Sequence, residues 1–578
     1  MEDSGTATRT QESRTSYSGE TWIARDELPL ENIYRNEREH ASRMFLTQPV
    51  RGTVREWKWG AALGEARRVA AHLKAQNWPP GSRVAIVGKN CAWWIMADFA
   101  VWMAGHTSVP IFPSLRETAR NAILEHSQPV ACFLGALDLP PEIEGTALER
   151  LHRISFPTAL PAPGTTTWEG ILEAQEPLAE CPVRGPLDIA TIIYTSGTTG
   201  DPKGVMQSFQ ALAFMAKSMH PVLSGGGPLD RILSYLPLAH IAERAIVEMN
   251  SLYFPLHIFF AESQETFLAD LGRARPTVFF TVPRLLVRFQ QGVLEKITQQ
   301  KLALLLRIPI VRGVVQRRIL KALALESVRL AASGSAPLPV AVLEWYRHLG
   351  LNLVEGYGMT ETGITHVPLP GKLRPGYVGN ASAYAETRIS NDGEIQIRGP
   401  MNMAGYFRNP SLTQSSFTHD GYFHTGDRGE IDTEGRLRII GRIKEEFKTS
   451  KGKYIIPAPI EHELAASGLF ESVCVLGQGM AGPFAAVVLV PESRTACTAP
   501  ETRAVLEQQL EQERLRVNRR LEQHEQLRFL VVALEPWTVD NGFITPTLKV
   551  RRGRIEERFA TLFNSWESAG TTVVWLEA

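Results

Sequence analysis

The stretch YTSGTTGDPKG, from Tyr194 to Gly204, is dense in hydroxyl groups and nearly free of bulky side chains. It continues DIATIIYT, an apolar and β-branched run that predicts a buried strand ending in a loop. Gly197, Gly200 and Gly204 would let the loop backbone approach a ligand closely. Backbone N–H groups and hydroxyls together form a donor surface suited to anionic oxygens, and Lys203 adds a positive charge. The stretch therefore predicts a polyphosphate-binding loop.

This stretch differs from the Walker phosphate loop, in which the lysine is followed by Ser or Thr. Here Lys203 is followed by Gly204. A polar surface turn is the ordinary alternative for a cluster of Ser, Thr, Gly and Pro. The preceding strand and the lysine at a fixed offset favour a phosphate site over that alternative.

Bulk composition bounds the class of protein. The chain has 578 residues, enough for roughly three or four units of about 150 residues each. Its 61 basic and 61 acidic residues cancel, so net charge gives no argument for nucleic-acid binding. Five scattered cysteines argue against a disulfide framework and against a zinc site. A polar N-terminus and the lack of an apolar run of about 20 residues predict a cytoplasmic protein, with peripheral contact at the inner face of a membrane left open.

Periodicity predicts an α/β protein with two parts. Up to about residue 440, strand-like runs alternate with helical stretches such as Trp59 to Gln76, as in layered α/β subdomains. From about 385 to 440, short strands joined by Asp-Gly and Glu-Gly turns predict a β-rich subdomain. Beyond about 444, strands and a long polar helix from Arg503 to Leu527 predict a small α+β domain.

The second candidate site is EGYGMTET, residues 355–362, which follows the predicted strand LNLV. Glycines on both sides of Tyr357 leave its ring free to stack on a flat partner. Thr360 and Glu361 place a hydroxyl beside a carboxylate, a pair suited to a divalent cation carried on phosphates. The loop ASGSAPLP, residues 332–339, is rich in small residues and suits one wall of a nucleoside pocket. An ordinary turn is the alternative in each case.

Three further segments carry charged groups in or near turns. Asp427, in the segment GYFHTGDRGEI, suits the two hydroxyls of a ribose. The segment GRIKEEFKTSKGKYIIP, residues 441–457, is basic where the two predicted parts join. Lys549 follows the rigid turn TPT. The alternatives are a carboxylate that holds its own turn, a solvated basic linker and a surface lysine.

The phosphate loop, residues 355–362 and the three charged segments, five in all, occur in one order. In that order they resemble the adenylate-forming (AMP-binding) superfamily of acyl- and aryl-CoA synthetases, adenylation domains and firefly luciferase. The resemblance spans nearly the whole chain. A closer resemblance to the bacterial long-chain fatty acyl-CoA synthetase branch rests on YLPLAHIAER (235–244), RPTVFFTVPRLL (275–286), FKTSKGKYIIPAPIE (447–461) and TPTLKVRR (545–552).

The resemblance implies a reaction in two halves. ATP would activate a fatty acid, which the closer resemblance implies is long-chain, to acyl-AMP with release of pyrophosphate. Coenzyme A would then displace AMP to give acyl-CoA, and Mg²⁺ would assist the first half. Two alternatives stay open from the sequence: an acyl-AMP ligase that loads a carrier protein, and a CoA ligase for another hydrophobic carboxylic acid. Acyl chain length and metabolic pathway are not readable from these motifs.

The resemblance also implies roles for individual residues. Catalysis falls to Lys549, Glu361, Thr360 and His240, and metal binding to Glu361 and Thr198. The ATP-binding residues are Thr195, Ser196, Gly197, Thr198, Thr199, Gly200, Lys203, Gly334, Ser335, Ala336, Gly356, Tyr357, Gly358, Asp427, Arg442 and Lys448. The CoA-binding residues are Ser450, Lys451 and Gly452.

Within that set, Lys549 would bridge the acyl carboxylate and the α-phosphate, with Thr360 at the same phosphate. Tyr357 would stack on adenine, while Asp427 and Arg442 would hold the ribose. The loop of hydroxyls and glycines would cradle the β- and γ-phosphates.

The implied division of the chain is a disordered N-terminus (1–20), an N-terminal AMP-binding domain (21–441), a hinge (442–446) and a mobile C-terminal domain (447–578). Lys444 matches the family's hinge position. The chain departs from many relatives by having Glu445 where they have Asp, and Gly441 where they have Asp before Arg442. Arg244 stands where some long-chain enzymes place an aromatic gate, so an acyl-tunnel gate is not carried over.

The segment 296–321 carries seven basic residues and no acidic one, with apolar residues between them. A basic and apolar mixture of this kind suits a lipid interface. Pro309 and Gly313 interrupt the pattern and favour a helical hairpin with a solvated basic face. Both interpretations stay open from the sequence, as does a homodimer.

Overall fold

The structure, a computed structural model, describes residues 23–137, 142–160, 162–196, 202–223, 230–369, 371–497, 500–545, 549–568 and 570–576. The predicted disordered segment 1–20 lies outside these ranges, as do Gly197, Thr198, Thr199 and Gly200 of the predicted phosphate loop.

The strand predicted before the hydroxyl-rich stretch lies inside the largest sheet. Ile189–Ser196 runs parallel to Thr107–Ile111 and antiparallel to Pro202–Ser208. Its residues from Ala190 to Tyr194 are buried because both sheet faces are covered, with Ile192 and Ile193 in two different core clusters. The spatial order of the eight strands is Gly405–Tyr406, Pro202–Ser208, Ile189–Ser196, Thr107–Ile111, Arg83–Val87, Ala131–Leu134, His152–Ser155 and Thr166–Thr167.

The predicted loop is shorter than the sequence suggested. The chain stays extended to Ser196 and returns as a strand from Pro202, with Thr195 opposite Lys203 across the hairpin. Gly204 therefore lies within a strand, where an added Cβ would meet Ile192 at 2.8 Å. The small size of Gly204 serves packing between the strands, and its approach to a ligand stays a prediction.

Four smaller sheets complete the part before the predicted hinge. The first has the order Arg231–Ser234, His257–Phe260, Met44–Val50, Thr53–Lys58, and the second is the parallel set Val278–Thr281, Leu330–Ser333, Leu353–Glu355. The third pairs Tyr357–Met359 with Gly363–His366. The fourth, the predicted β-rich unit, is antiparallel in the order Glu386–Ile389, Glu394–Arg398, Phe423–Ile431, Leu437–Arg442.

Helices cover the sheets. The predicted amphipathic helix is Trp59–Ala75, and it packs on Ala92–Met103, which is buried on all sides. The other helices of this part are Pro29–His40, Glu117–Ser127, Trp168–Ala174, Phe209–Ser218, His220–Leu223, Ile241–Glu243, the π-helical Arg244–Met249, Asn250–Tyr253, Phe267–Ala274, Pro283–Leu294, Gln299–Arg307, Pro309–Ala322, Val340–His348 and Pro410–Ser415. Short 3₁₀ turns cover Arg25–Glu27, Ala147–Arg150 and Ile443–Glu445.

Residues 447–576 build their own sheet and core. The two-residue strands Phe447–Lys448 and Tyr454–Ile455 pair with each other, and the larger sheet has the order Phe470–Leu476, Phe484–Leu489, Leu530–Ala533, Val573–Leu576. Alternate residues of these strands enter two core clusters on opposite faces. The helices are Pro457–Ala465, Pro491–Ala496, Pro500–Asn518, Arg552–Phe559 and Phe563–Ser568, with a 3₁₀ turn at Ala560–Leu562.

The long polar helix of this part ends earlier than predicted. It stops at Asn518 instead of continuing to Leu527. The Asn518 side chain donates to the Leu527 carbonyl and accepts from the Leu527 N–H, at 2.9 and 2.8 Å. These bonds stabilise a turn in place of further helix.

Candidate active site

The candidate site begins where three parallel strands end at one edge. Val278–Thr281, Leu330–Ser333 and Leu353–Glu355 run side by side, so the loops after them are neighbours. The Gly356 N–H donates to the Ser333 carbonyl at 2.9 Å. The two predicted nucleoside loops, 334–336 and 356–358, therefore lie against each other, which the sequence alone did not show.

In both loops the backbone limits which residue types can be accommodated. Ser335 has φ +67°, a left-handed conformation that is uncommon outside glycine and that concentrates at functional sites. At Gly358 an added Cβ would lie 2.1 Å from the Gly363 carbonyl oxygen, so any side chain is excluded. The close return of strand 363–366 causes this exclusion. Because Gly358 has no side chain, the backbone next to Tyr357 is not covered by one on that side.

Tyr357, Asp427 and Arg442 form one connected group. The Tyr357 hydroxyl donates to Asp427 Oδ2 at 2.6 Å, and Arg442 Nε lies 2.8 Å from Asp427 Oδ1. Burial raises the pKa of Asp427, and the adjacent Arg442 opposes that rise. The arrangement fixes the Asp427 carboxylate at the cleft, where its remaining lone pairs suit hydroxyl donors.

Thr360 and Glu361 are held by two residues that sequence reasoning missed. Gln207 Nε2 donates to the Thr360 carbonyl at 2.6 Å, and the Tyr406 hydroxyl donates to Glu361 Oε1 at 3.0 Å. Burial raises the pKa of Glu361, whereas Tyr406, Arg442 and Lys549 lower it. One feature of the sequence could have pointed to Gln207, namely an amide side chain at an inward-facing position of a strand. No feature of the sequence pointed to Tyr406.

Lys549 reaches this group from the other side of the predicted hinge. Thr545 and Lys549 close a turn through two hydrogen bonds, of 2.8 and 3.1 Å. Surrounding protein and the charge of Arg442 lower the pKa of Lys549, and Asp427 and Glu361 raise it. Lys549 also keeps an exposed surface.

His240 lies close enough to Lys549 for the lysine charge to affect the pKa of His240. Burial and that charge together lower the pKa of His240 to about 4, so the ring is neutral at pH 7. The Ala242 N–H donates to His240 Nδ1 at 3.2 Å. An accepting Nδ1 places the proton of the neutral ring on Nε2, which makes Nε2 a hydrogen-bond donor.

The remaining predicted residues lie around this cluster or apart from it. Lys203 lines a cavity of about 600 Å³ that also includes His126 and Arg408. Lys448 is exposed, with its ammonium 4.6 Å from the Tyr454 ring centroid. Ser450, Lys451 and Gly452 form an exposed turn, held by a 2.7 Å bond from the Ser450 N–H to the Met480 carbonyl. The described contacts connect neither Lys448 nor this turn to the Lys549 group.

Two anchored carboxylates follow the hinge candidate. Lys444 is exposed in a 3₁₀ turn. Glu445 lies 3.5 Å from Arg552 of the C-terminal part, while Glu446 forms an ion pair with Arg428 of the β-rich sheet. These two neighbouring residues are thus tied to different parts of the chain.

Two departures from the family pattern have structural reasons. An added Cβ at Gly441 would meet Ile456 at 2.9 Å, so this backbone position has no room for the Asp of other relatives. Arg244 is fully buried and forms ion pairs with Asp98 and Glu248. Paired and enclosed in this way, Arg244 is a core residue and does not replace a mobile aromatic gate.

The donor set suits a metal that is delivered with phosphates. Across the described ranges, no group of three or more His, Cys, Asp or Glu side chains forms a metal site. Glu361 offers a carboxylate with one oxygen oriented by Tyr406. Mg²⁺ commonly takes one or two protein carboxylates together with phosphate oxygens and water, and this site fits that mode.

The fold and the cluster at the strand ends define a nucleotide-dependent enzyme of the adenylate-forming class. A family model described as AMP-binding enzyme matches residues 34–407, and the chain belongs to the AMP-binding enzyme family. The long-chain-fatty-acid–CoA ligase FadD15 of Mycobacterium bovis is 31% identical to it, over 92% of this chain and 95% of that protein. Both levels of the resemblance seen in the sequence are confirmed.

Solved structures confirm the α/β fold class. The adenylation domain of a carboxylate reductase from Mycobacterium chelonae superposes with a TM-score of 0.78 at 21% identity, covering 95% of this chain and 92% of that one. The A domain of carboxylic acid reductase from Segniliparus rugosus, solved with AMP and a co-purified carboxylic acid, gives 0.77 at 20% identity, with 94% of each chain covered. These similarities concern the fold alone.

Proposed function

We propose that this protein activates a long-chain fatty acid with ATP to acyl-AMP and then transfers the acyl group to coenzyme A. The observation that carries the proposal is the convergence of Lys549 with Glu361, Asp427, Arg442 and His240 in one cleft. These groups come from distant parts of the chain and combine two cations with two carboxylates and a neutral donor. The FadD15 relative supports the choice of substrate.

In the first half-reaction a carboxylate oxygen attacks the α-phosphorus of ATP, the bond to the β-phosphate oxygen breaks, and pyrophosphate leaves. Negative charge then concentrates between the carboxylate and the α-phosphate. Lys549 supplies a cation there, and neutral His240 donates from Nε2 to the acyl carboxylate. Fixed cations and donors of this kind stabilise the transition state more than the ground state.

Nucleotide recognition in this proposal falls to the Tyr357 group. The ring stacks on adenine, and Asp427 accepts hydrogen bonds from the ribose hydroxyls, with Arg442 holding the carboxylate in place. Thr195, Ser196 and Lys203 flank the stretch that binds the β- and γ-phosphates. Mg²⁺ bound through Glu361 and the phosphates would neutralise charge on the leaving pyrophosphate.

In the second half-reaction the sulfur of coenzyme A, having lost its proton to solvent, attacks the acyl carbonyl carbon, and AMP leaves. Lys549 has no role in this step, and the thiol needs the space beside it. We infer that residues 447–578 rotate about the hinge 442–446, which brings Ser450, Lys451 and Gly452 to the cleft. This inference explains why that exposed turn lies apart from the Lys549 group in the present orientation.

A panel assay tests the proposal. Pyrophosphate release is measured with carboxylic acids of increasing chain length, with and without coenzyme A, and acyl-AMP and acyl-CoA are identified by mass spectrometry. We expect long-chain fatty acids to react and acyl-CoA to form when coenzyme A is present. Acyl-AMP that accumulates and transfers only to a carrier protein would favour the carrier-loading alternative. Reaction with other hydrophobic acids alone would overturn the substrate assignment.

We also infer peripheral contact with an anionic membrane through the hairpin of Gln299–Arg307 and Pro309–Ala322. Apolar side chains on it are exposed, with Ile310 at 89%, Val314 at 68% and Leu304 at 61%. Its six basic residues make no ion pair within the described part of the chain. No helix of the described ranges is long and apolar enough to cross a membrane.

An apolar tip surrounded by unpaired cations fits an anionic lipid surface better than it fits water. The apolar side chains would enter the interface while each nearby cation contributes about 1 kcal/mol against anionic lipid. A long-chain fatty acid partitions into bilayers, so docking would bring the enzyme to its substrate. A homodimer, the other open partner, stays a prediction.

Liposome co-sedimentation tests the contact. The variant Arg312→Gln, Arg317→Gln, Arg318→Gln should lose binding to anionic vesicles by a factor on the order of 10², because three cations are removed. Ile310→Ser should weaken binding at constant charge. Arg25→Gln, Arg38→Gln, Arg116→Gln removes the same charge from other exposed positions and should bind as the parent does. Equal loss in the two triple variants, or no sedimentation at low salt, would exclude docking by the hairpin.

A further inference from the structure

A second contact joins the two parts of the chain, away from Lys549. Helix Pro283–Leu294 presents Arg284 and Gln291 to the segment 466–471, which follows helix Pro457–Ala465 and enters strand Phe470–Leu476. Arg284 forms an ion pair with Glu471, and Gln291 Nε2 donates to the Gly468 carbonyl at 2.8 Å. Both partners are thus on the C-terminal side of the predicted hinge.

A second ion pair holds the Glu471 carboxylate in position for its contact with Arg284. Its second oxygen lies 2.9 Å from Arg494, a residue of the same C-terminal part, and the side chain is only 18% exposed. Arg494 therefore holds the carboxylate in place whether or not Arg284 is near. A charged group fixed in advance loses little conformational entropy when its partner arrives.

The Gly468 contact restricts the approach of the helix. Gly468 has φ +74°, and an added Cβ would lie 2.9 Å from Gln291 Nε2. The amide of Gln291 therefore fits only against a backbone without a side chain. The two contacts lie two turns apart on one helix. Together they fix both the distance of the C-terminal part from this helix and its position along the helix.

This contact coexists with Lys549 in the cleft. Arg552, three residues after Lys549, lies 2.7 Å from Glu461 of the helix that leads to Gly468. Lys549 and the segment 466–471 therefore belong to one packed unit. A rotation that removes Lys549 from the cleft also separates Glu471 from Arg284.

We propose that Arg284 and Gln291 are positioning residues that select the orientation for acyl-adenylate formation. The proposal rests on the proposed two-step function, because it assigns the contact to one half-reaction. A partly exposed ion pair of this kind is worth a factor of about two to five in a two-state population. That range is large enough to bias a rotation and small enough to let it proceed in each cycle.

The test separates orientation from activity. Labels on exposed Cys181 and on Arg519→Cys report the distance between the two parts by spin-label or fluorescence measurement. Arg284→Glu should broaden or shift this distance, Gln291→Ala should do so more weakly, and Arg284→Lys should resemble the parent. Arg38→Glu, the same charge reversal at an exposed position on another helix of the N-terminal part, is the matched control.

The half-reactions supply the second measurement. Arg284→Glu should slow acyl-AMP formation about two- to fivefold and leave thioester formation from supplied acyl-AMP equal or faster. An unchanged distance in Arg284→Glu, or equal slowing of both half-reactions, would overturn the proposal. If the parent enzyme forms no acyl-AMP from any carboxylic acid, the proposed function fails, and the distance measurement alone decides whether Arg284 selects the orientation.

Discussion

At the scale of single residues, the chemistry of Lys549 depends on neighbours that are remote in the sequence. Its pKa is lowered by the surrounding protein and by Arg442, and raised by two carboxylates. These opposing effects keep an ammonium in a cleft that would otherwise disfavour it. A lysine with this environment suits the stabilisation of charge that develops between a carboxylate and a phosphate.

Replacing Lys549 with alanine should abolish acyl-AMP formation in practice. Loss of one transition-state charge contact costs on the order of 10²–10³ in rate. Thioester formation from supplied acyl-AMP should continue, because the proposed role belongs to the first half-reaction. Single-turnover measurements of each half-reaction make the comparison, and an equal loss in both would contradict the assignment.

At the scale of elements, the turn Ile443–Glu445 begins the connection between the two parts of the chain. Two ion pairs follow Lys444, one from Glu445 to Arg552 of the C-terminal part and one from Glu446 to Arg428 of the β-rich sheet. Lys444 itself is exposed and precedes both pairs. A rotation about the Lys444 backbone would leave the core of each part intact, and it would require the Glu446–Arg428 pair to separate.

The variant Lys444→Pro should trap one orientation. Proline holds φ near −65° and restricts the residue before it, so the turn cannot follow a large rotation. Acyl-AMP formation should survive better than thioester formation, because the present orientation already places Lys549 in the cleft. Lys444→Ala removes the same side chain and should keep both rates. Parental rates for both half-reactions in the proline variant would show that the rotation occurs elsewhere.

At the scale of the whole molecule, the stability of the fold depends on pH through buried acids. Glu243 is fully enclosed and accepts hydrogen bonds from the Ser234 hydroxyl at 2.8 Å and the Tyr235 N–H at 3.1 Å. Burial raises its pKa to about 8. The folded protein holds the Glu243 proton more tightly than the unfolded chain does. Protonated Glu243 therefore contributes fully to the free energy of unfolding at low pH, and this contribution is lost as pH rises through about 8.

The variant Glu243→Gln should remove this loss. Between pH 6 and pH 9 the parent should lose about 2 kcal/mol more of its free energy of unfolding than the variant does. The amide keeps an acceptor for Ser234 and Tyr235 but has no proton to release. Denaturant unfolding at the two pH values gives the difference. Parallel pH dependence in parent and variant would mean that Glu243 is ionised in the folded protein at pH 6.

The sequence by itself determined the class of this protein, because its signals are local. The strand at Ile189–Ser196, the amphipathic helix at Trp59–Ala75 and the β-rich unit all follow from the periodicity and turn residues of short segments. Each of the five motifs is likewise a short segment, and their order is read directly along the chain. It was sufficient to identify the family and to name most of the candidate site.

Only the tertiary structure decided which residues meet, since contacts between residues far apart in the sequence leave no periodic signal. Gln207 beside Thr360, Tyr406 beside Glu361 and Arg284 beside Glu471 could not be found from the motifs. The packing of Gly204 against Ile192 was equally hidden, because its strand partner was unknown. The physical reason is the same in each case: packing and charge act through distances in space, and those exist only after the strands and helices have come together.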